Sequence, residues 1–515
     1  MYLTASLHRA LQRDPDATWT TFKGRTTTVA DHAVRVARLA GALGNLGISD
    51  GERVGLWALN SDRFAEALFA VPWAGGVLNP LNTRWSPPEA QYALEDSGTR
   101  VLLVDDVFAP AATELRKSCP ALKTVVHMSD GCAVPGAVSY EELIEGTRPV
   151  EDQRRGGDAV AGIFYTGGTT ALPKGVVLTH ANLLTSALGS HATAPTVQAG
   201  GRVLHVAPMF HLAGLSCWVA QSMVGGTHVM LPTFDPGEVL ATIDEQQITT
   251  ALLVPTMIQM VLAHPAIAER ALTSLRVVLY GASPIAPTTL RTAMERFPSA
   301  SFVQAYGMTE LSPVATILSP DDHGDERLLA SAGRAALHAE VAVVDPDGAD
   351  LPPGSVGEVV VRGPHVMVGY WNKPAETEEA LRGGWMHTGD AGYMDERGYL
   401  YIVDRIKDMI ITGGENVYCA EVEAAIAQHP SVAQCAVIGV PDDTWGERVH
   451  AVVVLKPGAD PDPEGVEKLA RTLIASYKVP RSFEFRDALP LSAAGKVLKR
   501  DLRAPHWEGA NRGVH

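Results

Sequence analysis

Between Thr28 and Gly47, apolar side chains recur at Val36, Leu39, Leu43 and Leu46, three or four residues apart. That spacing lines one face of a 3.6-residue turn and predicts an amphipathic helix, with Thr28 and Asp31 as a capping pair at its start. A second pattern follows. "RVGLWAL" and "TRVLLVDD" are short, unbroken apolar runs, and "ITTALLVP", "SLRVVLYG" and "SFVQAYG" repeat the form, each closed by a turn residue. Runs of this kind predict strands buried on both faces, and their alternation with helical stretches predicts an α/β fold of parallel sheets flanked by helices. Ligands of such sheets collect beyond the carboxyl ends of the strands, so the loops "YGASP" and "YGMTE" stand where a site is expected.

From about Glu340 the pattern shifts to β-rich sequence with Asp-Gly and Pro-Pro turns, "EVAVVDPDGADLPPGSVGEVVVRG", which predicts a small β-barrel or sheet subdomain over residues 340–404. "GYLYIVDRIKDMIITGGENVYCAEVEAAI" then reads as a strand, a charged junction, another strand and a helix. The boundaries expected are a large domain over 1–404, a junction at 405–409 and a small α+β domain over 410–515. Val203 to Phe234 carries no Asp, Glu, Lys or Arg. It also holds Pro208, Pro232, three histidines and the Gly225-Gly226 pair, so a strand, a turn and a buried helix explain it better than a membrane span.

Charge and cysteine usage narrow the function classes. With 42 basic against 58 acidic residues the net charge is -16, which argues against a nucleic-acid partner bound through phosphate neutralisation. The five cysteines are scattered and show no C-x-x-C spacing, the pattern of a reducing compartment without a disulfide framework or a cysteine zinc site. The amino terminus lacks the apolar core of a secretory signal, and the expected location is cytoplasmic. A peripheral membrane association or a homodimer stays compatible with this sequence.

Chemistry concentrates first in "YTGGTTALPKG", Tyr165 to Gly175. Its glycines, Gly167 and Gly168 among them, permit close backbone approach and an anion-binding nest. Thr166, Thr169 and Thr170 add hydroxyl donors, and Lys174 a mobile cation, a set suited to a polyphosphate. A tight turn between strands is the plainer alternative. The loop is not a Walker A motif, because Pro173 precedes the lysine and Gly175 follows it. Six more motifs follow in order: "APMFHLAG", "YGASPI", "YGMTE", "GWMHTGD", "DRIKDMIITGGENVYCAEVE" and "PLSAAGKVLKR".

Together these motifs resemble the adenylate-forming superfamily, in particular its AMP-forming acyl-CoA synthetase and fatty-acid–CoA ligase branch, over nearly the whole chain. Two positions depart from the family's loop: Gly167 stands at a usual serine and Ala171 at a usual glycine, so one phosphate donor is missing. The resemblance implies a large domain built on two parallel-type sheets with a mobile small domain. It also implies a two-step reaction: a carboxylic acid and ATP give an acyl-adenylate and pyrophosphate, and CoA then displaces AMP. Lys496 would approach the carboxylate and the α-phosphate. Thr309 would donate to that phosphate, and Glu310 would help hold Mg²⁺. Tyr306 would stack on adenine beside the Gly281, Ala282 and Ser283 backbone, with Gly307 next to it. Asp390 and Arg405 would take the ribose hydroxyls, although a turn cap and an ion pair with Asp404 or Asp408 are their plainer readings. Lys407 would be the pivot of the small domain, and Gly413 and Gly414 would leave width for pantetheine. Trp445 would pack near that entrance or in the core.

His211 matches a position that lines the acyl pocket and gates the thiol tunnel, a satisfied core histidine being the alternative. Leu212, Gly214, Pro255, Gly281, Met308 and Pro313 complete the expected pocket. The wall segments hold no arginine for a second carboxylate, and Asp235 lies too far past the histidine motif to serve an amine. The expected substrate is therefore an apolar monocarboxylic acid: medium- or long-chain fatty, or a compact aryl or alicyclic acid. An acyl-AMP ligase serving a carrier protein is the alternative enzyme, with luciferase-like oxygenation behind it. A nucleotide sensor with a dead site is the alternative outside catalysis. Lys174, Glu310, Asp390, Arg405 and Lys496 together argue against that last reading.

Overall fold

The computed structural model describes residues 1–166, 172–442, 444–492 and 497–507. Its contacts divide the chain into two compact units: Met1–Val341 with Val361–Met386, and Ala342–Val360 with His387–His515.

The expected helix is found at Val29–Asn45, and the Thr28 side chain accepts from the Asp31 N–H at 3.0 Å. The apolar runs are the inner strands of two large sheets. Among the described residues, the first runs Arg334–Ala335, Thr316–Leu318, Ser301–Tyr306, Val277–Gly281, Thr250–Leu252, Arg202–His205, Thr227–Met230, Thr18–Phe22, Arg25–Thr28. Its six central strands, from Ser301–Tyr306 to Thr18–Phe22, are parallel, with antiparallel strands at both edges. The second runs Gly369–Tyr370, Lys174–Thr179, Val160–Thr166, Val77–Pro80, Arg53–Trp57, Val101–Val104, Thr124–His127, Val138–Ser139.

Unbroken apolar runs are needed because both faces of the first sheet are covered. Val203, Leu252, Val277, Leu279 and Val303 enter one core cluster. Their neighbours Leu204, Ala251, Val278 and Phe302 enter another, against Val239, Leu240 and Ile243 of helix Pro236–Glu245. Burying each large aliphatic side chain contributes about 1.5–3 kcal/mol. The uncharged stretch resolves as expected into strand Arg202–His205, buried helix Leu212–Val224 and strand Thr227–Met230. Among the described residues no helix is long and apolar enough to cross a membrane.

The β-rich segment forms a four-stranded sheet in the order Glu340–Val344, Gly357–Arg362, Met386–Met394, Leu400–Arg405. Downstream, Ile410–Thr412 pairs with a short strand Glu415–Val417 that the sequence pattern did not suggest. The long hairpin Val432–Asp442 and Gly446–Leu455 follows, with Ser482–Phe485 parallel to its second arm. Helix Cys419–Ile426 packs on this sheet through Val422 and Ile426.

Candidate active site

Thr166 and Lys174 face each other across the antiparallel pair Val160–Thr166 and Lys174–Thr179. Gly167, Gly168, Thr169, Thr170 and their neighbour Ala171 lie outside the described residues. The base of the loop is held firmly. Tyr165 donates its hydroxyl to the Asp96 carboxylate at 2.6 Å, and the Trp371 indole donates to the Asp96 carbonyl at 2.9 Å. Burial and the Asp96 carboxylate push the Tyr165 phenol well above its ordinary pKa, so it stays a donor. Strand Gly369–Tyr370 pairs with the far side of Lys174–Thr179 and brings Tyr370 alongside. The Lys174 ammonium sits 4.9 Å from the centre of the Tyr370 ring, a cation–π distance. The Tyr370 hydroxyl in turn donates to Glu310 Oε1 at 2.9 Å. One tyrosine thus links the lysine of the glycine-rich loop to the acid of "YGMTE".

The "YGASP" and "YGMTE" loops leave the carboxyl ends of neighbouring parallel strands, with Gly281 opposite Ala305. A Cβ on Gly281 would collide with the Ala305 carbonyl, and one on Gly307 with the Pro313 carbonyl, so both strand ends require glycine. Ala282 follows in the left-handed region (φ 66°), then Ser283; Tyr306 is half-buried. Thr309 and Glu310 are buried in a single 3-10 turn, Thr309–Leu311, flanked by the half-buried Met308 and Pro313. The Met367 N–H donates to the Glu310 carbonyl at 2.8 Å, and the Asn182 amide holds the Pro364 and Val366 carbonyls at 2.8 and 3.0 Å. Glu310 is therefore a positioned, buried carboxylate, a hard oxygen donor of the type Mg²⁺ takes.

His211 stands immediately before helix Leu212–Val224 and is half-buried. The loop before it is fixed by buried Asn60, whose amide donates to the His205 and Ala207 carbonyls at 3.2 and 3.0 Å and accepts from the Met209 N–H at 2.8 Å. Leu212 and Pro255 are buried. A Cβ on Gly214 would collide with the Pro208 carbonyl, so this glycine serves the close packing of helix on loop. Asp235 is a helix cap, accepting from the Glu238 N–H at 2.9 Å.

In the small unit Asp390 and Arg405 are cross-strand partners, with the guanidinium Nε 2.5 Å from the buried carboxylate. Arg405 thus pairs with Asp390. Asp404 accepts the Cys419 N–H, and Asp408 pairs with Arg503 at 2.5 Å. Burial and the Arg405 charge lower the pKa of Lys407, whose carbonyl accepts from Arg503 at 3.4 Å. Gly413 takes φ 60°, its N–H donates to the Trp445 carbonyl at 2.9 Å, and the indole covers it; Gly414 follows at φ 83°. Trp445 is 43% exposed and lies under the Arg481 guanidinium at 4.9 Å, which excludes the core position. Lys496 lies outside the described residues. On either side of it Leu491 pairs with Val497, and the Leu498 N–H donates to the Pro490 carbonyl at 2.8 Å.

With this geometry in place, the comparisons with known proteins are direct. The family described as "AMP-binding enzyme" matches residues 7–371, and its C-terminal domain matches 421–496. The chain belongs to the AMP-binding enzyme family. It is 40% identical over 496 residues to a feruloyl-CoA synthase of Amycolatopsis sp, covering 96% of this chain and 97% of that protein. It is 38% identical to the fatty acid–[acyl-carrier-protein] ligase ScoC of Streptomyces coeruleorubidus, covering 99% and 97%. The fold is similar to that of the anthranilate CoA ligase AuaEII in complex with anthranoyl-AMP, with TM-score 0.91, 27% identity and coverage of 98% and 97%. The adenylate-forming family recognised in the motifs is the family found, and the α/β fold with its small carboxyl-terminal domain matches as well.

Within this AMP-binding enzyme, sequence reasoning missed Asn60, Asp96, Asn182, Tyr370 and Arg481. Each acts across 36 or more residues of chain, on a partner that only the folded sheets bring near. No local spacing signals such a role.

Proposed function

We propose that the chain is an AMP-forming acyl-CoA synthetase that activates an apolar monocarboxylic acid. The observation that carries this reading is the Lys174–Tyr370–Glu310 link beside the ends of the Val277–Gly281 and Ser301–Tyr306 strands. In the first step a carboxylate oxygen attacks the α-phosphorus of ATP, and the bond to the β-phosphate oxygen breaks to release pyrophosphate. The carboxyl group is ionised at pH 7, with a reference pKa of about 4, so no general base is required. Lys174 and the hydroxyls of Thr166 and Thr309 hold phosphate oxygens. Lys496 meets the carboxylate and α-phosphate; an ammonium about 3 Å from an anion gains roughly 5 kcal/mol at an effective dielectric near 20, before desolvation. Glu310 would hold Mg²⁺, which would supply neutralisation of phosphate charge. Tyr306 and the Gly281–Ser283 backbone flank adenine, and Asp390 with Arg405 takes the ribose.

In the second step a thiol attacks the acyl carbonyl and AMP leaves. A thiol of pKa about 8.5 is already a few per cent ionised at neutral pH. The small domain, here 410–515, swings about Lys407 to exchange the Lys496 face for the one carrying Gly413, Gly414, Trp445 and Arg481, with His211 gating the thiol's path. The acid lies against Leu212, Pro255, Met308 and Pro313. Aryl-propenoic and fatty acids are the first candidates, since the relatives include a feruloyl-CoA synthase and a fatty-acid ligase. ScoC also supports a second reading, transfer to a carrier protein in place of CoA. The enzyme acts in the cytoplasm.

The test is AMP formation from a panel of acids, C2 to C18 with benzoic, cyclohexanecarboxylic and ferulic acids, with CoA or acyl-carrier protein as acceptor. CoA-dependent AMP release is expected. Release that only carrier protein supports would establish the second reading, and no pyrophosphate release with any acid would refute both.

A further inference from the structure

In the small unit, three side chains from separate segments converge: His450 on strand Gly446–Leu455, Glu484 on strand Ser482–Phe485, and His506 in the 3-10 turn Ala504–His506. Glu484 Oε2 lies 3.7 Å from His450 Nε2 and 3.9 Å from His506 Nε2, and the three ligand atoms fall within 4.8 Å of one another. These separations are too long for hydrogen bonds. His450 Nε2 is buried and has no hydrogen-bond partner among the described residues, on a side chain only 7% exposed. A buried polar atom left in that state is costly unless something satisfies it.

The surroundings prepare the trio for a cation. His450 Nδ1 is hydrogen-bonded to the Ser482 hydroxyl at 2.8 Å, which fixes the ring and turns Nε2 toward Glu484. Arg486 Nε donates to Glu484 Oε1 at 2.5 Å, which leaves Oε2 to face the two histidines. His506 is pinned on both sides. Arg503 pairs with Asp408 at 2.5 Å, and the Trp507 indole donates to the Gly439 carbonyl at 3.0 Å.

We propose that His450 Nε2, Glu484 Oε2 and His506 Nε2 form a binding site for a divalent transition metal, with zinc the ion that suits them best. Two imidazoles and one carboxylate match zinc's preference, whereas Mg²⁺ and Ca²⁺ select all-oxygen sets. Tetrahedral bonds of about 2.0–2.2 Å place ligand atoms about 3.3 Å apart, so the two edges to Glu484 close by about half an ångström. The serine on His450 and the arginine on Glu484 are the outer contacts that such ligands normally keep. A bound ion ties the Ala504–His506 turn to the sheet, and with it helix Lys499–Arg503. Cysteine spacing carries no trace of this site.

The test uses the full chain, stripped with a chelator and titrated with zinc against a colorimetric competitor, with bound metal counted by elemental analysis. One zinc per chain is expected. His506→Asn and Glu484→Gln each weaken it at least ~100-fold, and Ser482→Ala weakens it ~10–100-fold, the usual range for an outer partner. His506→Asn alters a half-exposed position near the end of the chain, and circular dichroism checks that it stays folded. Failure to bind zinc at about 10 µM free metal, or an equivalent bound as tightly in both ligand variants, as the free cysteines would bind it, overturns the proposal.

Discussion

Two polar clusters, one fully buried and one half-buried, solve the same electrostatic problem in opposite ways. In the large unit, His32, His205 and His228 lie fully inside the apolar core among Trp19, Phe69 and Trp218. His205 and His228 share a 2.9 Å hydrogen bond, while His32 has no partner among the described residues. Burial pushes His32 and His205 down to about 3, so they stay neutral. In the small unit, Lys499 lies 2.8 Å from Glu423, which also accepts the Val437 N–H at 2.8 Å. There Glu423 and its neighbours hold the Lys499 pKa well above its ordinary value against burial, and the cluster remains charged. The difference teaches which perturbation each region resists. The neutral cluster is stable until acid charges it, and the paired cluster until one partner is removed.

Acid gives the largest expected effect. Unfolded histidines protonate near 6.5, whereas folded His32 and His205 resist protonation down to about 3, so the unfolded chain binds more protons across that window. Stability is full above about pH 6.5 and falls by about 1.4 kcal/mol per histidine per pH unit below it. Denaturant unfolding at pH 6.5 and 4.5 should differ by about 5 kcal/mol from this pair, and His32→Leu should flatten the slope. An unchanged slope breaks the comparison. Next, Lys499→Met leaves the half-buried Glu423 without its cation and should destabilise the small unit by about 2 kcal/mol. Amide exchange in Val432–Asp442 reads this, and unaltered protection would mean the pair is solvated.

Catalytic variants sharpen the same contrast between charged and neutral groups. Lys496→Ala removes a cationic contact to the reacting groups and should slow pyrophosphate exchange at least ~10²-fold, the scale of one preorganised transition-state contact. Tyr370→Phe removes only the neutral hydroxyl that orients Glu310, which is worth about 1 kcal/mol. A drop of roughly 5-fold in pyrophosphate exchange is expected, with a loss of stability no larger than about 1 kcal/mol. Equal losses in the two variants would show that charge is not what separates them.

Much of this protein was legible in the chain because the signals are local. Helix Val29–Asn45 with its Thr28 cap, and the strands in "TRVLLVDD" and "SLRVVLYG", follow from periodicity and turn residues within a dozen positions. The motifs mark their loops because close backbone approach at Gly281 and Gly307 admits no side chain. What lay beyond reach depends on sheet order. Tyr370 meets Lys174 and Glu310 only because Gly369 pairs with Val177, nearly two hundred residues earlier in the chain.

By itself, then, the sequence determined the alternation of elements, the family and the order of its chemical motifs, since each rests on residues adjacent in the chain. The tertiary structure alone decided which of those motifs meet, that Trp445 faces outward under Arg481, and that His450, Glu484 and His506 converge. The reason is physical: strand pairing and core burial set side-chain distances across long stretches of chain, and no spacing along the backbone encodes them.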